Sequence, residues 1–427
     1  MNLVKFMDLA FGNLFRFAKE INFRKEERGP LSWGFVATLV VVLTYGLVML
    51  FSASYSKGYY SFDDIYHFIR PQAIYAVVGF VAMLFISNIN YRALRHAHWY
   101  LYALTLVLLV LALFSTPQNG CYRWIYLISD SGPSLQPSEL AKFSTILGLA
   151  CYADEHYEQQ STLRHGIIMP LLPLVPVVLL LYKEPHNSAI ILLCLIVGTM
   201  MVAGGCGLRW LPLVAAAGVG GVYLMLTGQD NYVAQRLGAW GLTAGNLTGD
   251  GGTTALYQTE QSLYSIASGG LTGLGIGNSR QKHLWLPEAT NDFIFSVVCE
   301  ELGFIGAVAC MLLFAALIVQ GILIALRSPD YFGTMLGIGI SAQVAWQVFC
   351  HIGVVTATLP NTGISLPFFS SGGTSLLMLM GEMGVLLSIS RAGNARVVAR
   401  QQHQQQELAR RMGTARVYHR PNQVGLK

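Results

Sequence analysis

Apolar runs long enough to cross a bilayer recur along the whole of this 427-residue chain. A helix covers ~30 Å of hydrocarbon in about 20 residues. A backbone in hydrocarbon must also satisfy its own hydrogen bonds, which leaves helices or closed barrels. Unbroken apolar runs, without the alternation of a barrel strand, select helices. Composition agrees: 53% of residues are hydrophobic and 11% charged, against about 25% charged in a soluble domain. An all-α polytopic membrane protein of ten transmembrane helices is expected, with spans near 33–52, 71–89, 98–115, 139–153, 166–182, 187–207, 209–227, 292–326, 332–352 and 372–390. The fourth is short and carries Lys142. The eighth, at 35 residues, is too long for one perpendicular crossing, so it must tilt, kink or protrude. No internal repeat of 20–50 residues is visible.

Basic residues set the direction. Residues 1–32 carry six Lys/Arg without a signal-peptide pattern, the loop at 90–97 holds Arg92 and Arg95, and the tail 391–427 holds seven Arg and one Lys against Glu407. The positive-inside rule places all three in the cytoplasm, both termini included. Three regions follow: a basic cytoplasmic arm (1–32), a membrane domain (33–390) and a basic cytoplasmic tail (391–427). Within the membrane domain the largest outer loop, 228–291, lies between spans 7 and 8. The seven cysteines form no C-x-x-C pair, so neither a disulfide framework nor a zinc site is indicated.

Ionisable residues in a membrane are expensive and tend to serve function, and here they gather toward the outer side. In "RWIYLISDSGPSLQPSELAKF" (123–143), Arg123 precedes a Pro-Ser-Glu step. Ser138 is placed as an N-cap, Glu139 lies in the first turn, and Lys142 shares its face. They form either a local Glu–Lys pair closing the helix end or a positive patch for an anionic group. In "LWLPEATNDFIF" (284–295), Glu288 precedes Asp292 by four residues at the mouth of span eight. Asp292 reads either as an N-cap or as a carboxylate in a wet outer cavity, acting as general base, cation ligand or both. Glu300 and Glu301 follow about two and a half turns deeper and read as buried partners that fix this span. In "LPNTGISLPFFSSGGTSLL" (359–377) prolines and glycines break the helix beside Ser371, and Gly372 and Gly373 suit close approach of an anion. His351, at the outer end of span nine, reads as a packing residue before a catalyst. Glu382 is expected to pair inside the bundle, and His186 and Asn187 to cap span six.

Taken in order, "RWI" (123–125), "QPSELAK" (136–142), "QSLYSIASGGLTGLGIGNSRQKHLWLPEATNDFIFSVVCEELGFIG" (261–306) and "LPNTGISLPFFSSGGTSLL" (359–377) resemble the SEDS family (shape, elongation, division and sporulation), typified by FtsW, RodA and SpoVE. The likeness runs from about residue 33 to 391 and leans to the FtsW or SpoVE type. It implies a peptidoglycan glycosyltransferase that polymerises lipid II at the outer face of the bacterial cytoplasmic membrane, for division, elongation or sporulation. It also implies a class B penicillin-binding protein, a transpeptidase, as partner, among other division or elongation membrane proteins. The family's essential acid falls on Asp292, and its Arg, Glu and Lys on Arg123, Glu139 and Lys142. Gln261, Glu288, Ser371, Gly372 and Gly373 are expected as further substrate-binding residues. The residues leave open whether Arg123 and Lys142 alone serve the diphosphate or share it with a divalent cation, Mg or Mn, held by Asp292; no organic cofactor is expected. The chain departs from the family where "SSGGT" stands for the usual "SYGGS", where His351 replaces an Asn, and where "EPHNSA" stands for "PD-x-GT", with His186 at the acidic position.

Attack of a sugar 4-hydroxyl on an anomeric carbon, with a prenyl diphosphate leaving, needs a base, positive charge near the diphosphate and a groove for the lipid. Asp292 suits the first role, with Glu288 second, and Arg123 and Lys142 suit the second. Two other classes share the architecture: a lipid II flippase, and a non-enzymatic scaffold for a transpeptidase. The gathering of charge at one face rather than the midplane disfavours alternating access.

Overall fold

The computed structural model describes residues 12–13, 16–23, 27–115, 122–126, 134–207, 209, 212 and 254–418, with side chains described for all of these except 254–255 and 408–418. Nine of the ten expected spans coincide with helices: α1 (Trp33–Phe62), α2 (Ile69–Ile86), α3 (Leu94–Ala112), α4 (Pro137–Glu155), α5 (Arg164–Lys183), α6 (Asn187–Ala203), α8 (Ile294–Leu326), α9 (Tyr331–Val355) and α10 (Gly373–Tyr418). The seventh expected span, 209–227, lies outside the described residues except at Arg209 and Pro212. Among the described residues seven helices are long and apolar enough to cross a membrane, and α4 and the 17-residue α6 are outside that set. The chain is thus a mostly helical, multi-pass membrane protein. A two-residue ribbon, β1 (Ile125–Tyr126) antiparallel to β2 (Ser134–Leu135), leads into α4.

The centre of the bundle is α9, which packs against α4, α6 and α8, while α2 lies along α10 and α8 against α1. Seventeen residues of α9 are buried, including Gln343, Gln347 and His351. Elsewhere the apolar surface is outward: Val77, Val81 and Phe85 on α2, and Leu312 and Val319 on α8, are exposed. Outward apolar faces with buried polar groups inside are the arrangement a bilayer demands.

Several boundaries differ from the sequence expectation. α1 runs ten residues beyond 52, through "SASYSKGYYSF", and ends where Asp63 turns left-handed at φ 52. α4 begins one residue before Ser138, with Pro137 in its first turn and Gln136 flanking, so Ser138 is not the N-cap. Pro at the first helical position needs no amide partner, which moves the start forward. α8 begins at Ile294 with Phe293, rather than Asp292, flanking its first turn. His186 flanks α6 but makes no side-chain cap. The over-long eighth span kinks: Gly303 sits at φ 67, ψ −166 inside α8.

The expected outer loop 228–291 contains a helix, α7 (Thr254–Gly269). Its buried positions, Leu256, Thr259, Ser262 and Ser265, recur every third residue, the spacing of one helix face. α7 packs along α8 and stops beside Cys299 and Glu300, where a Cβ on Gly269 would strike main chain. The chain then turns and bonds to the kink: Leu274 and Gly275 donate to the Glu300 and Glu301 carbonyls (3.0 and 2.9 Å), and Phe304 and Ile305 donate to Gly270 and Leu271 (2.9 and 3.2 Å). These bonds satisfy the amides and carbonyls that the break at Gly303 leaves free. A Cβ on Gly303 would collide with the Gly273 amide and the Leu271 carbonyl, so glycine is required there by both space and φ.

Candidate functional site

Four side chains brace the return segment 279–293 from below. Glu300, fully buried, accepts from Ser265 Oγ (2.8 Å), Ser279 Oγ (2.5 Å) and the amides of Arg280 (2.9 Å) and Gln281 (3.4 Å). Glu301, also fully buried, pairs with Lys282 Nζ at 2.8 Å and lies 2.7 Å from Ser52 Oγ. Lys282 Nζ also donates to Ser52 (3.1 Å), and Ser56 Oγ meets His283 Nδ1 at 2.9 Å. Ser52 and Ser56 are one turn apart on α1, so that face grips the segment. Buried carboxylates are tolerable only when donors surround them, and here most of the donors belong to the segment itself, with Ser265 and Ser52 adding to them.

Above this base the chain makes successive turns, with Glu288 at φ 54. The Glu288 carbonyl accepts from Asn291 (3.0 Å) and Phe293 (3.2 Å), and its carboxylate accepts from Asn291 Nδ2 at 2.8 Å. Lys57 Nζ lies 3.9 Å from Glu288. Phe293 and Ile294 are buried, which fixes the end of the turn and leaves Asp292 half-buried at its rim.

The entry to α10 is clamped onto this turn. Ser370 Oγ donates to the Asn291 carbonyl (2.7 Å) and accepts from the Leu366 amide (2.8 Å), while the Ser371 amide donates to the Thr290 carbonyl (3.0 Å). Gln72 on α2 ties in the same segment, accepting from the Gly372 amide (3.1 Å) and donating to the Ser370 carbonyl (3.2 Å). Thus Glu288, Asp292, Ser371, Gly372 and Gly373 form one group. Gly373 has a packing reason, because a Cβ there would strike the Tyr75 ring. The Gly372 amide is already engaged by Gln72, so these glycines offer less to an anion than the sequence alone implied.

A second group surrounds the start of α4. Lys142 and Glu139, both buried, pair at 2.8 Å, and Arg123 Nη2 donates to the Pro185 carbonyl at 2.6 Å. That carbonyl belongs to the loop between α5 and α6, whose Glu184 and His186 are also buried. Burial pushes the Glu184 carboxyl up to about 8, opposed by the Arg123 charge. Burial, then Arg123 and Lys142, hold the His186 imidazole well below its ordinary value. On α10 the Glu382 carboxylate accepts from Gln343 Nε2 (2.9 Å) and faces Lys142 and Glu139. Nine residues, about 13 Å of helix, separate Gly373 in the first group from Glu382 in the second, so α10 spans both.

The remaining expected residues stand apart. His351 donates through Nδ1 to the Ile364 carbonyl (2.8 Å) and is fully buried. Gln261 is half-buried on α7, beside Ser262, whose hydroxyl meets Ser296 Oγ and the Val355 carbonyl at 2.7 Å each. Sequence reasoning missed Lys57, Gln72, Lys282 and Glu184. The two lysines carried a signal, as charges on the outer side, while Gln72 and Glu184 carried none. Among the described residues no three His, Cys, Asp or Glu side chains converge to hold a metal. A cation at Asp292 would therefore take most of its ligands from substrate and water, which is the habit of Mg²⁺.

Residues 33–395 match the sequence profile of a family described as cell cycle protein, that of FtsW, RodA and SpoVE. The chain is 36% identical over 364 residues to stage V sporulation protein E of Bacillus subtilis (strain 168), covering 83% of this chain and 96% of that one. It is 35% identical over 359 residues to the probable peptidoglycan glycosyltransferase FtsW of Trichlorobacter lovleyi, covering 82% and 91%. Among solved structures it is similar to a variant of the rod shape determining protein RodA of Thermus thermophilus, with TM-score 0.60, 25% identity and coverage of 84% and 97%. A chain from the structural coordination of polymerization and crosslinking by a peptidoglycan synthase complex shares the fold at TM-score 0.69 and 24% identity, over 85% and 98%.

Proposed function

The chain belongs to the FtsW, RodA and SpoVE family of cell cycle proteins, and from that premise we propose that it is a peptidoglycan glycosyltransferase polymerising lipid II at the outer face of the bacterial cytoplasmic membrane. One observation carries the choice of catalytic group. The turn ending in Asp292 is braced by Glu300, Glu301 and Lys282 below and clamped by Ser370 and Ser371 above, yet Asp292 itself stays half-buried at the rim. A carboxylate held on a rigid frame with partial access to water is what a positioned base requires.

In this reading Asp292 removes the proton from the 4-hydroxyl of the acceptor sugar as that oxygen bonds to the anomeric carbon of the donor. The bond from that carbon to the diphosphate breaks, and the prenyl diphosphate leaves with the electron pair. Arg123 and Lys142 contribute positive charge toward the diphosphate through charge-assisted hydrogen bonds. Glu139, paired with Lys142 at 2.8 Å, holds its ammonium in place. A divalent cation, Mg or Mn, when bound, would add positive charge at the diphosphate with Asp292 as its protein ligand. Gln261, Glu288 and the 371–373 strand belong to the substrate-facing rim.

The full topology is part of the same proposal: ten spans, both termini cytoplasmic, and the α7–α8 hairpin on the outer side. A class B penicillin-binding protein is the partner expected from family membership, its single helix against α8 and α9, whose outward residues Phe304, Leu312 and Phe349 are exposed. Purified protein in proteoliposomes tests the activity. Lipid II supplied on the accessible side is converted to glycan by a polymerase, is only moved across by a flippase, and is untouched by a scaffold.

A further inference from the structure

The loop between α5 and α6 contributes three groups toward Arg123: the Pro185 carbonyl that holds its guanidinium at 2.6 Å, and the side chains of Glu184 and His186. Glu184 is fully buried, and neither of its carboxyl oxygens has a protein partner. His186 is 6% exposed, with Nδ1 unpartnered. Arg123 Nε, Ser138 Oγ and Glu139 Oε2 share that condition around the same start of α4. Buried polar atoms without partners cost free energy, and six of them in one cluster point to a polar guest.

The charges of the cluster indicate the sign of that guest. Facing one another are Arg123 from the β1 strand's lead-in, Glu139 and Lys142 from α4, Glu184 and His186 from the loop, and Glu382 from α10, while Lys183 points outward. Lys142 shares its charge with Glu139. With Glu184 and His186 uncharged, the Arg123 charge is left for a ligand, and a protonated Glu184 presents an O–H donor beside it.

We propose that Glu184 and His186 complete an anion-recognising subsite around Arg123, in which Glu184 donates a hydrogen bond to a phosphate oxygen of the prenyl-linked diphosphate and His186 positions the loop. This rests on the glycosyltransferase reading and adds to it a positioning role for the "KEPHNSA" loop, where the family's acidic position is occupied by His186 and a carboxyl stands two residues earlier. Ionising Glu184 would cancel the Arg123 charge and replace a donor with a repelling acceptor, so binding is linked to that proton. His186, neutral across this range, does not contribute to the dependence.

The test is binding of a radiolabelled prenyl diphosphate to the full chain in detergent, from pH 6.5 to 9.5, in the Asp292→Asn background so that nothing turns over. The expected result is an affinity that falls about tenfold per pH unit once Glu184 ionises, the limit for one linked proton, and a flat profile in Glu184→Gln. Arg123→Gln, which removes the charge opposing the shift, moves the fall to higher pH. A prenyl alcohol binds more weakly and without pH dependence. A Glu184→Gln profile that tracks the parent, an Arg123→Gln fall that does not move, or a prenyl alcohol that binds as well as the diphosphate overturns the subsite. Failure of the unsubstituted chain to make glycan overturns the underlying reading instead, whatever the binding profile.

Discussion

At the residue scale, the site divides carboxylates by surroundings. Glu300 and Glu301 are fully buried and surrounded by donors, Glu288 is engaged by Asn291 and Lys57, and Asp292 is half-buried at the rim. Sequence position alone ranked Asp292 first and Glu288 second, because motif likeness pointed to both. The contacts separate their surroundings. Glu288→Gln keeps a hydrogen-bond acceptor for Asn291, so its polymerisation rate is expected within about tenfold of the parent, short of the about 10²-fold at which general-base effects begin. Lys282→Met leaves the buried Glu301 without its cation, and breaking such a pair costs about 3–5 kcal/mol. Thermal unfolding in detergent should show a large loss for Lys282→Met and a smaller one for the Lys282→Met, Glu301→Gln double variant. Equal losses would mean that the pair is not coupled. Glu184 was illegible because "KEPHNSA" reads as an ordinary polar turn, and only burial reveals its state. Its contribution to stability has a definite sign. A carboxyl whose folded value is raised to about 8 binds its proton more tightly when folded, so this group's contribution is full below the unfolded value and is lost as pH rises toward 8. Unfolding measured across that window should show Glu184→Gln less sensitive to pH than the parent.

At the element scale, hydropathy located most of the helices but not α7. The buried stripe of α7 is Leu256, Thr259, Ser262 and Ser265, three hydroxyls and one leucine, so the periodicity is present while the apolar signal is absent. The length of the eighth span announced a kink, yet nothing in the sequence singled out Gly303 among 44 glycines. The reason is tertiary: the hairpin 270–275 fills the break and requires the approach of Gly273 to Gly303. Gly303→Ala should therefore displace the hairpin, costing both left-handed backbone strain of about 1–3 kcal/mol and the brace beneath Asp292. A lowered melting temperature together with reduced glycan output is expected. A variant with full stability and activity would show that the hairpin can shift freely.

At the scale of the whole molecule, family and helical architecture were readable from four ordered motifs on a pattern of long apolar runs, and the proposed polymerase function follows from the family. What was not readable is how the motifs assemble. Residues 290–291 meet 370–371 through one main-chain bond and the Ser370 hydroxyl, and Arg123 meets a loop more than sixty residues away, contacts that no periodicity encodes. The same assembly explains why a pure scaffold is a poor account, since a docking platform needs no half-buried carboxylate on so rigid a frame. Partner docking makes its own prediction. Pulldown of a class B penicillin-binding protein in mild detergent should succeed and should weaken when Leu312 on α8 becomes Arg, whereas the Asp292→Asn chain should bind as well as the parent.

The most direct test of the central claim is gel separation of glycan products formed from lipid II by the purified chain and by its Asp292→Asn variant, with matched thermal stability established for both. The account predicts polymer from the parent and a loss of about 10²-fold or more from the variant. Polymer at comparable rates from both would contradict it.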